Sequence, residues 1–197
     1  MDKKKAIVLY ILAAVIAVVL IIIYRRTILK TVGFNSINDM MDGNNVVAIA
    51  TKEIGVRETT QNRGVQVEIY LKSVGLDYSH GYTYPGFSWC AAFVKWCMIK
   101  ANIVTPGMNA MAASCYNPDN VVYSDSVFHK AFAPGDIFTI YFESLGRVGH
   151  CGIISNINGN ILSTIEGNTN NDGSRNGNGV YARSRNISEI HSISRWV

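Results

Sequence analysis

The feature that most limits how this chain can fold is an uncharged apolar run near its N-terminus. Residues 6–24 read AIVLYILAAVIAVVLIIIY, 19 residues without a charged side chain. At about 1.5 Å of rise per residue, a helix of this length crosses most of a hydrocarbon core roughly 30 Å thick. We therefore predict a short basic tail over residues 1–5 and one transmembrane helix over residues 6–24.

Basic side chains stand at both ends of this run and suit anchoring in lipid headgroups: Lys3, Lys4, Lys5, Arg25, Arg26 and Lys30. A cleaved secretory signal is the alternative, but no A-x-A pattern of small residues follows the run. The positive-inside rule is nearly balanced between the two ends. The very short N-terminal tail favours an inside position for itself, and hence an extracytoplasmic location for the rest of the chain.

Once this tether is set aside, the remaining chain is almost neutral. The whole sequence has 18 Lys and Arg against 14 Asp and Glu, whereas residues 46–197 have 12 basic and 11 acidic residues. Such a balance does not indicate a nucleic-acid-binding surface. Residues 25–45 contain many turn-forming residues, mostly Asn, Gly and Asp, so we predict a linker there and a folded domain over residues 46–197.

Within this domain, helical periodicity comes first and strand periodicity follows. Apolar spacing predicts helices over residues 46–54, 64–74 and 89–97, the second with Val65, Ile69, Val74 and also Leu71 facing inward. Short apolar runs between turn signals, such as Asn158-Gly159, predict strands. They cover residues 137–142, 149–155, 161–166, 179–183 and 192–196. Helices followed by an antiparallel meander indicate an α+β fold.

The third predicted helix places one cysteine where a helix can activate it. Ser88 is the expected N-cap, and Trp89 opens an apolar stripe that continues through Phe93 and Trp96. Cys90 then falls in the first turn, off that stripe, where the helix dipole lowers the pKa of a thiol.

The other three cysteines are Cys97, Cys115 and Cys151. The absence of a CxxC pair disfavours a zinc module and a thiol redox protein. Cys97 and Cys115 could pair in an oxidising compartment. Cys151 follows His150 on a strand, so we predict that it faces the opposite side and lies in the core.

A thiol nucleophile also needs a base, and His150 is the best candidate. It lies on a predicted strand near Gly149 and Gly152, which would allow a close backbone approach. In a hairpin that turns at residues 158 and 159, Glu166 sits roughly across from His150 and can orient the imidazole. Asn168 ends the same strand, so it is the other polar candidate.

Three segments together resemble the CHAP family of cysteine, histidine-dependent amidohydrolases/peptidases: SWCAAFVKWC over residues 88–97, GHCGII over 149–154 and TIEGNT over 164–169. The resemblance covers roughly residues 46–197 and implies a papain-like fold with helices packed on an antiparallel sheet. It implies Cys90 as nucleophile, His150 as base and then acid, Glu166 as the orienting group, and Asn168 as an assisting residue. The implied substrate is peptidoglycan, cut either within the peptide stem or at the sugar–peptide amide.

Other expectations concern ligands. Tyr82, Tyr84 and Trp89 are the candidate substrate-binding residues, although loop aromatics also pack against cores. The stretch before Cys90 lacks the clustered aspartates of a calcium loop, and we predict neither a metal nor a cofactor. A non-catalytic wall-binding module of an envelope or phage assembly is the competing interpretation, although the chain keeps both Cys90 and His150.

Overall fold

The computed structural model describes residues 15–19, 34–77 and 86–197. The chain divides into two compact units, Met1–Asp39 and Met40–Val197. In the first unit, residues 15–19 are helical with exposed side chains. The rest of the predicted span, residues 6–14 and 20–24, lies outside the described residues, as does the tail over residues 1–5. Among the described residues, no helix is both long enough and apolar enough to cross a membrane.

Within residues 34–77 and 86–197, three α-helices precede the sheet. They are α1 (Phe34–Lys52), α2 (Val65–Ser73) and α3 (Cys90–Lys100). The sequence predicts a linker up to residue 45, but residues 34–45 already belong to helix α1. Gly43 explains part of the difference: a Cβ there would lie 2.2 Å from the carbonyl oxygen of Pro134. This glycine serves close packing of the helix rather than a turn.

The inward face predicted for α2 is confirmed at Leu71 and Val74, which pack in the core, but it is wrong at Val65 and Ile69. Val65 and Ile69 are 82% and 45% exposed. The buried residues are Val67, Tyr70 and Leu71. The ring of Tyr70 stacks on Trp89 and meets Phe93 and Trp96 edge-on. Contact with the aromatic residues of α3 therefore selects the buried face of α2, since these rings bury more area than two aliphatic side chains.

Seven strands form one antiparallel sheet in the order β2-β1-β7-β3-β4-β5-β6. Their bounds are β1 (Val121–Ser124), β2 (Val127–Phe128), β3 (Ile137–Phe142), β4 (Arg147–Asn158), β5 (Ile161–Thr169), β6 (Gly179–Asn186) and β7 (Ser192–Ser194). The α+β class and the meander from β3 to β6 are confirmed. The sequence had not indicated β1 or β2, and β7 does not extend the meander but returns between β1 and β3.

Both faces of the sheet are covered by apolar side chains. Ile137 and Ile153 pack with the helices in one cluster, whereas their neighbours Phe138 and Ile154 belong to a second cluster with β1 and β7. Neighbouring residues of a strand point to opposite faces, so the two clusters lie on opposite sides. Helix α3 packs on the first side against β4 and β5, so its N-terminus lies beside the strands that carry His150 and Glu166.

Candidate active site

Helix α3 begins at Cys90, and Trp89 rather than Ser88 is its N-cap. The sequence placed Cys90 correctly in the first turn, although its side chain is only 3% exposed. Trp89, one of the predicted substrate-binding residues, has a fully buried side chain. Its indole Nε1 donates a hydrogen bond to Glu58 at 2.8 Å, so Trp89 anchors the start of the helix from inside the core.

Two consecutive residues of β5 hold the start of α3 in place. Gly167 leaves room for the helix, since a Cβ there would lie 2.7 Å from Cβ of Phe93. Asn168 is fully buried with a positive φ of 57°. When the side-chain amide is oriented to match its hydrogen-bonding neighbours, its oxygen accepts from the backbone N–H of Trp89 at 3.3 Å. Its nitrogen then donates to the carbonyl oxygen of Gly177 at 3.0 Å. Asn168 thus fixes the backbone immediately before Cys90.

His150 and Glu166 are in contact, as the hairpin predicted. His150 Nε2 lies 2.8 Å from Glu166 Oε2, and both side chains are fully buried. The register shifts between Ile154 and Asn156, and beyond it Ile153 pairs with Ile165. Continued along both strands, this register puts Glu166 beside Gly152. The two polar residues therefore meet diagonally rather than directly across.

Gly149 and Gly152 make room for side chains, not for the close backbone approach that the sequence suggested. At Gly152 a Cβ would lie 2.8 Å from Glu166 Cγ and 2.7 Å from the Phe138 ring. At Gly149 a Cβ would lie 2.9 Å from both Leu145 and Phe142. Of the two glycines, Gly152 is the one that matters for the site, because its missing side chain leaves the space that the Glu166 side chain occupies.

The other nitrogen of His150 is left for Cys90. Nδ1 is buried and has no hydrogen-bond partner among the described residues. Cys90 and His150 nevertheless interact closely enough for each to shift the pKa of the other. Because Glu166 accepts from Nε2, the proton at that position is fixed and Nδ1 is the nitrogen that can exchange a proton with a thiol.

The pKa values favour a charged pair. The Cys151 thiol is the largest cause that holds the pKa of Cys90 well below its usual value; burial opposes it, and His150 and the Ala91 backbone N–H add to it. Burial lowers the pKa of His150, but Cys90 and Glu166 outweigh burial and raise it to about 9. Between these two pKa values, Cys90 is a thiolate and His150 an imidazolium.

Two residues that support Glu166 had not been identified from the sequence. Arg185 on β6 donates from Nε and Nη2 to the two carboxylate oxygens at 2.9 and 2.7 Å, and Thr164 donates its hydroxyl proton at 2.6 Å. Burial raises the pKa of Glu166, but His150 and Arg185 outweigh it and lower the pKa to about 2. An isolated arginine on a predicted strand is usually a solvated residue, so the sequence around Arg185 does not indicate that it supports Glu166.

Tyr82 and Tyr84 lie outside the described residues. In the turn around Asn170 and Asp172, the Asn170 Oδ1 accepts hydrogen bonds from the backbone N–H groups of Asp172 and Ser174. Across the described residues, no group of three His, Cys, Asp or Glu side chains could hold a metal ion.

A polar cavity of about 460 Å³ adjoins the start of α3. Its walls include Glu58, which binds the Trp89 indole, and Gly177, which binds Asn168. Most of the other lining side chains are amides or acids, among them Asn62, Asn170 and Asp172. The cavity therefore offers hydrogen-bonding groups rather than apolar area, and it is connected to the start of α3 through Glu58 and Gly177, whereas Cys90 and His150 do not line it.

Comparison with known proteins places these residues in one family match. Residues 80–168 match the family model of the CHAP domain, a range that includes Cys90, His150, Glu166 and Asn168. A comparison with curated proteins gives no match.

Several solved structures are similar to this chain. NlpC1 from Trichomonas vaginalis has 14% sequence identity and a TM-score of 0.43, over 79% of this chain and 44% of its own. NlpC2 from the same organism has 15% identity and a TM-score of 0.43, over 79% and 46%. Ly7917 has 14% identity and a TM-score of 0.40, over 78% and 62%. The chain thus spans less than half the length of the two NlpC proteins.

Proposed function

We propose that this chain, whose residues 80–168 match the family model of the CHAP domain, is a peptidoglycan hydrolase of that kind, which cuts an amide bond with Cys90 as its nucleophile. The single observation that carries this proposal is the buried line from Cys90 through His150 to Glu166. A structural histidine has no need of a deprotonated thiol on one side and a carboxylate at 2.8 Å on the other. Activated thiolates have this arrangement.

In the proposed mechanism, the Cys90 thiolate attacks the carbonyl carbon of the scissile amide. The first backbone N–H groups of α3 have no partner within the helix, so they can stabilise the negative charge that develops on the carbonyl oxygen. His150 Nδ1 then protonates the leaving amine. A water molecule, deprotonated by His150, attacks the thioester and releases the acyl group, which restores the thiolate.

Glu166 and Asn168 have positioning roles in this proposal. Glu166 keeps the proton of His150 on Nε2 and stabilises the imidazolium. Asn168 holds the Trp89 backbone, and with it the position of the sulfur. Because Trp89 is buried, the polar cavity beside it is the better candidate for substrate contacts than the indole ring. A peptide stem, with its amides and charged ends, could form hydrogen bonds with the amide and acidic side chains that line this cavity.

We extend the proposal to the location of the enzyme. The apolar run over residues 6–24 would anchor the chain in a membrane as a single-pass protein, with the hydrolase domain on the extracytoplasmic side, where peptidoglycan is found. Either a peptide-stem endopeptidase or an N-acetylmuramoyl-L-alanine amidase fits the thiolate chemistry. A non-catalytic wall-binding module is the alternative, and it gives no reason for the charged Cys90–His150 pair.

The test uses the full-length chain in detergent and its Cys90→Ala variant, each incubated with purified peptidoglycan of several chemotypes. Mass spectrometry of the soluble products identifies the bond that is cut. We expect fragments from the parent and none from the variant. If neither protein releases fragments while both still sediment with peptidoglycan, the binding module is the correct function.

A further inference from the structure

Three of the four cysteines form one buried cluster. Cys115 ends a short 3₁₀ helix, Ala112–Cys115, and its sulfur lies 3.3 Å from that of Cys151. Cys151, on β4, also interacts through its sulfur with Cys90. All three are free thiols that belong to the same apolar cluster. Cys151 therefore lies between the nucleophile and a third sulfur. The earlier possibility of a Cys97–Cys115 pair is replaced by this arrangement.

We propose that this cluster is a sulfur relay, in which an oxidising equivalent taken up by Cys90 from a hydroperoxide passes through Cys151 and ends as a Cys115–Cys151 disulfide. The relay goes beyond hydrolysis of peptidoglycan. It rests on the proposed function only in requiring a reactive thiolate at Cys90.

The chemistry balances in three steps. In the first, the Cys90 thiolate attacks hydrogen peroxide and the O–O bond breaks, giving a sulfenic acid on Cys90 and, after protonation, one water molecule. In the second, the Cys151 sulfur attacks that sulfenic acid, which gives a Cys90–Cys151 disulfide and a second water molecule. In the third, Cys115 attacks the Cys151 sulfur, the first disulfide breaks, and Cys90 leaves as a thiolate. Two thiols and one peroxide thus yield one disulfide and two waters.

The protonation states give the relay its direction. Cys90 is the member of the cluster whose pKa is depressed, so it is the thiol that reacts with peroxide. Burial, together with Cys115 and Cys90, raises the pKa of Cys151. Cys151 therefore does not compete for the oxidant. In the last step the thiol with the lowest pKa leaves fastest, which frees Cys90 rather than Cys151.

Cys115 is held in place for this exchange by the C-terminal segment. Its carbonyl oxygen accepts hydrogen bonds from the Trp196 indole at 2.8 Å and from the Ser194 hydroxyl at 3.4 Å. The sulfurs of Cys115 and Cys151 need to approach by little more than 1 Å to reach a disulfide bond of about 2 Å. Only a small adjustment of the 3₁₀ helix is therefore required.

The experiment treats the full-length chain in detergent with hydrogen peroxide and maps disulfides and oxidised cysteines by non-reducing peptide mass spectrometry. In the parent we expect a Cys115–Cys151 disulfide and a free Cys90 thiol. Cys115→Ser should stop at the Cys90–Cys151 disulfide, which dithiothreitol reverses. Cys151→Ala should accumulate sulfinic acid on Cys90, which dithiothreitol does not reverse.

Two further variants serve as controls. Cys97→Ala removes a buried cysteine outside the three-sulfur cluster, whose pKa burial raises, and should leave the products unchanged. Cys90→Ala should slow formation of the Cys115–Cys151 disulfide by at least about tenfold, since it removes the thiol whose pKa is depressed. Sulfinic acid on Cys90 in the parent at the rate seen in Cys151→Ala would overturn the relay. The readout needs no peptidoglycan, so it stands apart from the test of hydrolysis.

Discussion

Two arginine–carboxylate pairs in this protein have nearly the same geometry but opposite electrostatic outcomes. Arg185 binds Glu166 through Nε and Nη2 at 2.9 and 2.7 Å. Arg195 binds Asp136 through the same two atoms at 2.7 and 2.9 Å. Both carboxylates are fully buried. Yet the pKa of Glu166 is lowered to about 2, whereas burial outweighs Arg195 and raises the pKa of Asp136.

The two carboxylates differ in the group that binds them besides arginine, and this group accounts for their opposite pKa shifts. Asp136 accepts a neutral backbone N–H from Ala133 at 2.8 Å, whereas Glu166 faces the imidazole of His150, which carries a positive charge in the proposed active state. One arginine does not fully offset the cost of burying a carboxylate, but an arginine and an imidazolium together do. Arg195–Asp136 is thus a structural tie between β7 and the start of β3, and Arg185–Glu166 is the support of the proposed site.

The largest expected effect distinguishes the two carboxylates. Glu166→Gln should lower the rate of peptidoglycan solubilisation about 10³-fold, because its amide can donate to Nε2 and impose the wrong tautomer on His150. Asp136→Asn should leave the rate of the folded protein within about twofold, while it lowers the melting temperature by leaving Arg195 without its carboxylate. Initial rates and thermal melts of both variants provide the comparison. Equal losses of rate would erase the distinction.

The two arginines should differ in pH dependence rather than in stability. Arg185→Met and Arg195→Met should each cost about 3 kcal/mol of unfolding free energy, measured by urea titration. Without Arg185 the pKa of Glu166 rises, so the carboxylate is neutralised as the pH falls and releases His150. We expect an approximately tenfold lower rate at pH 6, with a smaller loss at pH 8. Arg185→Lys should recover most of the rate, whereas an unchanged profile in Arg185→Met would deny Arg185 this role.

The pH profile of the parent enzyme should show its basic limb at about pH 9, the pKa of His150. Above that pH the imidazolium loses its proton, and the rate should fall about tenfold per pH unit. The pKa of His150 in the folded protein lies above its ordinary value of 6.5. The contribution of His150 to stability is therefore complete below pH 6.5 and lost as the pH rises towards 9. Asp136→Asn should not move this limb, and a limb near pH 6.5 would contradict the charged pair.

The smallest effect concerns two buried threonines of the sheet. Thr164→Val removes the hydroxyl that binds Glu166 at 2.6 Å. It should lower the rate of peptidoglycan solubilisation about threefold and reduce the free energy of unfolding by about 1.5 kcal/mol. Thr139→Val is the matched control, since its hydroxyl lies 2.6 Å from that of Ser192 and should cost about 1 kcal/mol without affecting the rate. A similar rate for both variants would show that the hydroxyl on Glu166 contributes only to stability.

The sequence predicted the parts of the site that depend on neighbours along the chain. A helix beginning at residue 89 or 90 places Cys90 in its first turn, wherever that helix packs. A hairpin at residues 158 and 159 brings His150 near Glu166 because strand pairing follows from the turn. Both are confirmed as geometry, and the catalytic roles of Cys90, His150, Glu166 and Asn168 remain our proposal.

Other predictions failed where the deciding contact is distant in sequence. Val65 and Ile69 have helical spacing, but the aromatic rings of α3 buried Tyr70 instead. The indole of Trp89 was expected to contact substrate, but it is buried and donates a hydrogen bond to Glu58. Arg185 gave no local signal at all.

By itself, then, the sequence determined the α+β class, the order of the helices and of strands β3 to β6, and the placement of a thiol at a helix start, because periodicity and turn chemistry act within about ten residues. Tertiary structure alone decided that β7 returns between β1 and β3, that Arg185 rather than Arg195 supports the proposed site, and that three sulfurs meet. Each of these depends on packing that joins segments far apart in the chain, where burial changes the free energy of a charge or a thiol by more than any local preference does.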